Sequence, residues 1–135
     1  MSYIPEDLID LINSKNEIYD VAKVCPTGSA VIIGPDKAQD LDVLVYMNMD
    51  AKNLVATLEK LGYVHTNKRE YPNLEHDDEF YMFRRGRYNL ITTNNIIGYN
   101  RWVTATTVAV KLNLTEKADR IKLFRSIVNG DGVYV

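Results

Sequence analysis

Cysteine is almost missing from this chain of 135 residues: Cys25 stands alone, so no intramolecular disulfide can form, which points to a reducing compartment. No apolar run approaches the roughly 20 residues that a membrane helix needs. The first residues lack a basic stretch followed by an apolar one, so no signal peptide is expected either. The expectation is a cytoplasmic protein with no membrane partner. An excess of either charge is lacking too. Lys and Arg number 16 against 18 Asp and Glu, a formal net charge of −2, which removes any global attraction to nucleic acid while leaving local basic patches open. Histidine is limited to His65 and His76, neither of which has a partner at metal-ligand spacing. The absence of Gly-x-x-x-x-Gly-Lys-Ser/Thr excludes an ordinary P-loop kinase, and the absence of Gly-x-Ser-x-Gly argues against Ser29 as a hydrolase nucleophile. No repeat, low-complexity tract or linker divides the chain. With 46% apolar and 25% charged residues it reads as one domain over residues 1–135 with a core of its own.

What is present reads as alternating elements. Pro5 to Ser14 predicts a helix, with Glu6 and Asp7 in its first turn and Ile4, Leu8, Leu11 and Ile12 on one face. Ile18 to Cys25 predicts a strand ended by turn chemistry at Pro26-Thr27-Gly28-Ser29. Ala30 to Ile33 suits a short helix or strand equally, and residues 34–37 a loop. Asp40 to Met47 is a near-continuous apolar strand, as burial on both faces demands. Asp50 caps a helix closed by Gly62, with Leu54, Val55, Leu58 and Leu61 as its stripe. Tyr63 to Thr66 predicts a strand and Asn67 to Glu79 a loop. Phe80–Phe83 and Tyr88–Thr92 predict a hairpin around Arg84-Arg85-Gly86-Arg87. After a connection over 94–100, Trp102 to Leu112 predicts a helix packed by Val103, Thr106 and Val110. A last helix starts at Asn113 or Thr115 and runs to Val128 through Ile121, Leu123, Phe124 and Ile127, and Gly130 to Val135 could add an edge strand. This order predicts an α+β (mixed α/β) fold, a mixed twisted sheet of about four to five strands flanked by helices.

Chemistry gathers in one stretch. Thr27-Gly28-Ser29 precedes a loop, and Asp40-Leu41-Asp42 then opens the run Val43-Leu44-Val45-Tyr46. Residues two apart in a strand share a face, so Asp40 and Asp42 are expected side by side. Their repulsion is relieved by a divalent cation, since hard cations prefer carboxylate oxygens. Acids that merely open a strand remain the alternative.

This arrangement resembles the nucleotidyltransferase superfamily, the fold shared by polymerase beta, poly(A) polymerases and many small antibiotic- or toxin-type transferases. The family pattern is a Gly-Ser turn, about ten residues, an acidic-apolar-acidic triplet heading a strand, and a third acid on a neighbouring strand. Gly28-Ser29 and Asp40-Leu41-Asp42 match it, and the resemblance spans Ile4 to Thr93. It implies that Asp40 and Asp42 hold two Mg²⁺ ions and that Gly28 and Ser29 cradle phosphates. It also implies that a hydroxyl acceptor attacks the α-phosphate of an NTP while pyrophosphate leaves. The third position falls in Tyr88-Asn89-Leu90-Ile91 and holds Asn89, which brings no charge and is a poor general base. Members often supply a lysine from later helices, and Lys111, set among apolar residues that would hold it in place, is the candidate, with a solvated lysine as the equal alternative; Lys117, Arg120, Lys122, Arg125 and Arg101 are further cations.

Two rival functions keep other features in play. The same fold could serve a nucleotide-binding protein or nucleotide phosphotransferase for NTP or NMP, with Asn89 as the mark of divergence. An interaction module could instead dock a partner or RNA through Arg84, Arg85 and Arg87, although an exposed hairpin tip explains them as simply. Tyr71, Tyr81, Tyr88 and Tyr99 are candidates to stack a base, or simply to pack. His76-Asp77-Asp78-Glu79 reads as a solvated loop, with accessory metal or acceptor binding as the alternative, and Cys25 as a small core residue rather than a nucleophile. The acceptor stays open: a small molecule, a protein partner or a second copy in a homodimer.

Overall fold

The apolar run Leu41–Met47 forms the central strand in the computed structural model, which describes residues 3–13, 21–66 and 80–128. In chain order the elements are α1 (Glu6–Asn13), β1 (Val21–Thr27), α2 (Ser29–Ile33), β2 (Leu41–Met47), α3 (Ala51–Lys60), β3 (Val64–Thr66), β4 (Phe80–Arg85), β5 (Tyr88–Thr93), α4 (Ile96–Lys111) and α5 (Lys117–Val128). The strands form a mixed five-stranded sheet in the order β1-β2-β5-β4-β3, in which β2 and β5 are parallel and every other pair is antiparallel. The fold is therefore α+β, with helices on both faces of the sheet.

Alternation along β2 sets the two faces. Val43, Val45 and Met47 join Leu90 and Phe83 against Leu8 of α1 and Leu54 and Leu58 of α3. Leu44 and Ile91 point the other way, with Phe80 and Met82, into a core built on Trp102, Ala105 and Ala109 of α4 and Phe124 and Val128 of α5. Asp42 is two residues before Leu44 and so lies on the α4 side. Among the described residues, no helix is long and apolar enough to cross a membrane.

Most of the expected elements are present, with shifted limits that have local causes. β1 continues through Pro26 to Thr27 instead of stopping at Cys25, because it is an edge strand, where a missing N–H is tolerated. β4 likewise runs on to Arg85, leaving Gly86 and Arg87 as a two-residue turn. Gly86 has φ 59°, and Arg87 is not in the positive-φ region, which is the II′ pattern that suits hairpin twist. The segment 30–33 is helical. α4 starts at Ile96, six residues ahead of expectation, because Asn95 accepts from the backbone N–H groups of Ile97 and Gly98. Its buried stripe includes Tyr99, Trp102, Ala105, Thr106 and Ala109, whereas Val110 is exposed. Asn113 does not open the last helix. With φ 51°, it ends α4, its N–H reaching Val110 O and that of Leu114 reaching Ala109 O. The expected limits at Ser14 and at 18–20, the loop 67–79 and the tail 130–135 lie outside the described residues.

Replacing Asn95 by Ala leaves two N–H groups of α4 without their acceptor. A loss of about 1 kcal/mol in urea unfolding is expected, with α4 amides exchanging faster by mass spectrometry.

Candidate functional site

Backbone register brings four polar side chains into one row across the sheet. Thr27 pairs with Asp42, Asp42 with Asn89, and Asn89 with Arg84, so residues from β1, β2, β5 and β4 lie abreast on the α4 side. The row runs from interior to rim: Thr27, Asp42 and Asn89 are buried, while the Arg84 side chain is 38% exposed. Asn89 therefore stands directly beside Asp42, and its Nδ2 donates to Asp42 Oδ1 at 3.1 Å. Asp40 sits one residue before β2 and is partly exposed, so it is not a strand neighbour of Asp42; its Oδ1 accepts from Arg84 Nη2 at 2.5 Å.

The turn after β1 touches the same carboxylate. Gly28 has φ 74° and ψ −162°, a combination reached essentially by glycine alone. A Cβ at this position would collide with Asp42 Oδ2 and stand 2.9 Å from Asp42 Cγ. Ser29, partly exposed, is the first residue of α2. Gly28, Ser29, Asp40, Asp42 and Asn89 thus come together at one end of the sheet. Lys111 is different: it is the exposed last residue of α4, so burial does not hold it in place. Arg120 is the buried cation of the C-terminal segments. It lines a narrow cleft with Gly28, Thr106 and Ala109 while its Nη1 donates to Leu114 O and Thr115 O.

A closed hydroxyl network anchors the turn from behind. Trp102 Nε1 donates to Thr27 Oγ1 at 3.2 Å, the Thr27 and Thr106 hydroxyls lie 2.6 Å apart, and Thr106 Oγ1 donates to Trp102 O. Each proton has a place if Thr27 donates to Thr106. From the other side, the Tyr3 hydroxyl donates to Thr27 O and Asp42 O. Burial, and then the nearby charge of Asp42, push the Tyr3 phenol well above its ordinary value. Burial likewise raises the Cys25 thiol, consistent with a core role.

The three arginines do not make one outward patch. Arg84 faces Asp40. Arg85 donates to Asp7 and Leu61 O and lies over the Tyr63 ring. Arg87 donates to Pro35 O, Ala38 O and Gln39 O. Sequence reasoning put Arg84 at a hairpin tip and so missed its place in the row; the signal available was alternation, since Arg84 shares parity with Phe80 and Met82. His65 stacks on Phe83 with ring centroids 4.8 Å apart, and His76 and Tyr71 lie outside the described residues. Tyr99 is buried in the core, and Tyr81 and Tyr88 pack partly buried against apolar clusters. Among the described residues no group of three His, Cys, Asp or Glu side chains is placed to hold a metal ion. Comparison with family models, curated proteins and solved structures gives no match for this chain.

Two changes probe this geometry. Gly28→Ala combines backbone strain with a clash, and a destabilisation of roughly 2–5 kcal/mol is expected in urea unfolding. The raised Tyr3 phenol makes its contribution to stability complete below the unfolded-state value of 10.0 and progressively lost as pH rises above it. Tyr3→Phe is expected to cost about 1 kcal/mol at pH 8 and to lessen the decline in urea midpoint between pH 9 and 11, to which the raised Tyr63 and Tyr99 phenols still contribute.

Proposed function

We propose that this chain binds a nucleoside triphosphate, with the phosphates at the Gly28-Ser29 turn and beside Asp40, Asp42 and Asn89. The observation that carries the reading is Gly28 laid against Asp42, which itself pairs in register with Asn89. The glycine lets the turn backbone lie against the Asp42 carboxylate, so a phosphate held by the Gly28-Ser29 turn would sit beside the acids, where a positive charge is needed to offset the repulsion. This is the setting in which the family resembled by the motif handles NTP. Transfer of a nucleoside monophosphate to a hydroxyl acceptor is the reaction that resemblance implies, with Asp40 and Asp42 as Mg²⁺ ligands. The donor set does not fit a pair of Mg²⁺ ions. Asn89 is neutral and turns its N–H toward Asp42, and Asp40 is already paired with Arg84. Binding, or phosphotransfer on a nucleotide, therefore ranks ahead of nucleotidyl transfer. The lone cysteine supports a cytoplasmic setting, and a homodimer or a small acceptor remain the partners to test.

A thermal-shift panel of NTPs and NMPs, with and without Mg²⁺, measures this directly. A ligand at 100 times its Kd adds about 2.7 kcal/mol, a rise of roughly 5–10 °C in Tm. Ser29→Asp, which sets a carboxylate among the phosphates, is expected to abolish that rise, and pyrophosphate release from the wild-type chain is expected to be absent. A flat panel, or an unchanged shift in Ser29→Asp, would sink the reading.

A further inference from the structure

Arg84 puts a fixed positive charge where the resemblance calls for metal. Its placement is built into the sheet: it lies on β4, its Cα pairs with Asn89, and its guanidinium bonds the Asp40 carboxylate across the row. Asp42 is committed as well, with Oδ1 accepting from Asn89 and Oδ2 lying against Gly28. Within the polar row Asp40 and Arg84 cancel in charge and Thr27 and Asn89 add none, so the row's formal charge is that of the Asp42 carboxylate, while the Arg120 cation lines a cleft with Gly28. One carboxylate is too little to gather two divalent cations, which seek several anionic oxygens each.

We propose that the Arg84 guanidinium replaces one of the two divalent cations, so that the site takes at most one metal ion and meets a phosphate group directly through Arg84. The proposal rests on the nucleotide reading and on the two metals that the resemblance implies, but its metal arm is tested without nucleotide. Exposure favours the role. With 38% of the Arg84 side chain and 32% of the Asp40 side chain exposed, the pair is weakly held, and an arriving phosphate can draw the guanidinium away. A guanidinium also offers parallel N–H donors that match two phosphate oxygens, which a lysine cannot do. Arg84 then neutralises Asp40 in the free protein and the triphosphate in the complex.

Binding of Mn²⁺ alone to the full chain, followed by the loss of the free-ion EPR signal, tests the exclusion without nucleotide or activity. The wild-type chain is expected to bind no more than one Mn²⁺. Arg84→Met is expected to bind Mn²⁺ about tenfold more tightly, because the positive charge that repels the ion and competes for Asp40 is gone. Asp40→Asn in the Arg84→Met background should cancel the gain. Arg84→Gln, which keeps a polar partner for Asp40, gives an independent version, and circular dichroism confirms folding of each. Two Mn²⁺ bound by the wild-type chain, or equal affinity in all variants, overturns the proposal. NTP stabilisation measured in EDTA supplies the phosphate arm: it should persist in the wild type and vanish in Arg84→Gln, and equal stabilisation of both overturns direct contact. If no nucleotide stabilises the wild type, the nucleotide reading and its phosphate arm fall together, while the Mn²⁺ comparison still decides whether Arg84 keeps metal out.

Discussion

The end of the sheet where β1, β2 and β5 meet depends on one close approach, that of the Gly28 backbone to the Asp42 carboxylate. Nothing larger than hydrogen fits between them, so the β1–α2 turn and the head of β2 can adopt their relative positions only with glycine at this point. Around it, each supporting contact fixes one member. Trp102 and Thr106 hold the Thr27 hydroxyl, Tyr3 holds the Thr27 and Asp42 carbonyls, and Asn89 holds the Asp42 carboxylate. These contacts come from α4, from the segment before α1 and from β5, so separate elements converge on the Thr27–Asp42 pair that borders the Gly28 turn.

The interactions in the polar row differ in what they can withstand. The Asn89–Asp42 contact is buried, and a hydrogen bond to a charged group in such a low-dielectric setting contributes about 1.5–3 kcal/mol. The Arg84–Asp40 pair is about one-third exposed, and pairs of that kind contribute about 1 kcal/mol or less. The row is rigid at its inner end and adjustable at its rim. A ligand arriving from solvent meets the adjustable end first.

Much of this was legible in the sequence, and the parts that were not have physical reasons. The run from Leu41 to Met47 has only one environment that suits it, and Asp50 with Gly62 brackets α3 from both ends. Pro26 reads locally as a strand breaker, and only its position on an edge strand makes it harmless. Asn94 to Asn100 looks like a connection because glycine and asparagines dominate it, yet a single capping side chain turns most of it into helix. At the site, the spacing of Gly28, Asp40 and Asp42 along the chain was readable, and so was the placing of Asn89 on a strand beside them. The partner of Asp40 was not, because Arg84 lies 44 residues away and only strand register brings the two together.

The hairpin and the loop before β2 also form one piece. Arg87 donates to the carbonyls of Pro35, Ala38 and Gln39, and the Leu41 N–H returns a bond to Arg87 O. The segment that delivers Asp40 is therefore stapled to the strand pair that delivers Arg84, from either side of the same turn. Chain entropy that would otherwise be lost when a mobile loop meets a ligand has already been spent during folding. What stays free is the torsions of two side chains, so this rim can answer an incoming anion by rotating bonds, with the backbone left where it was.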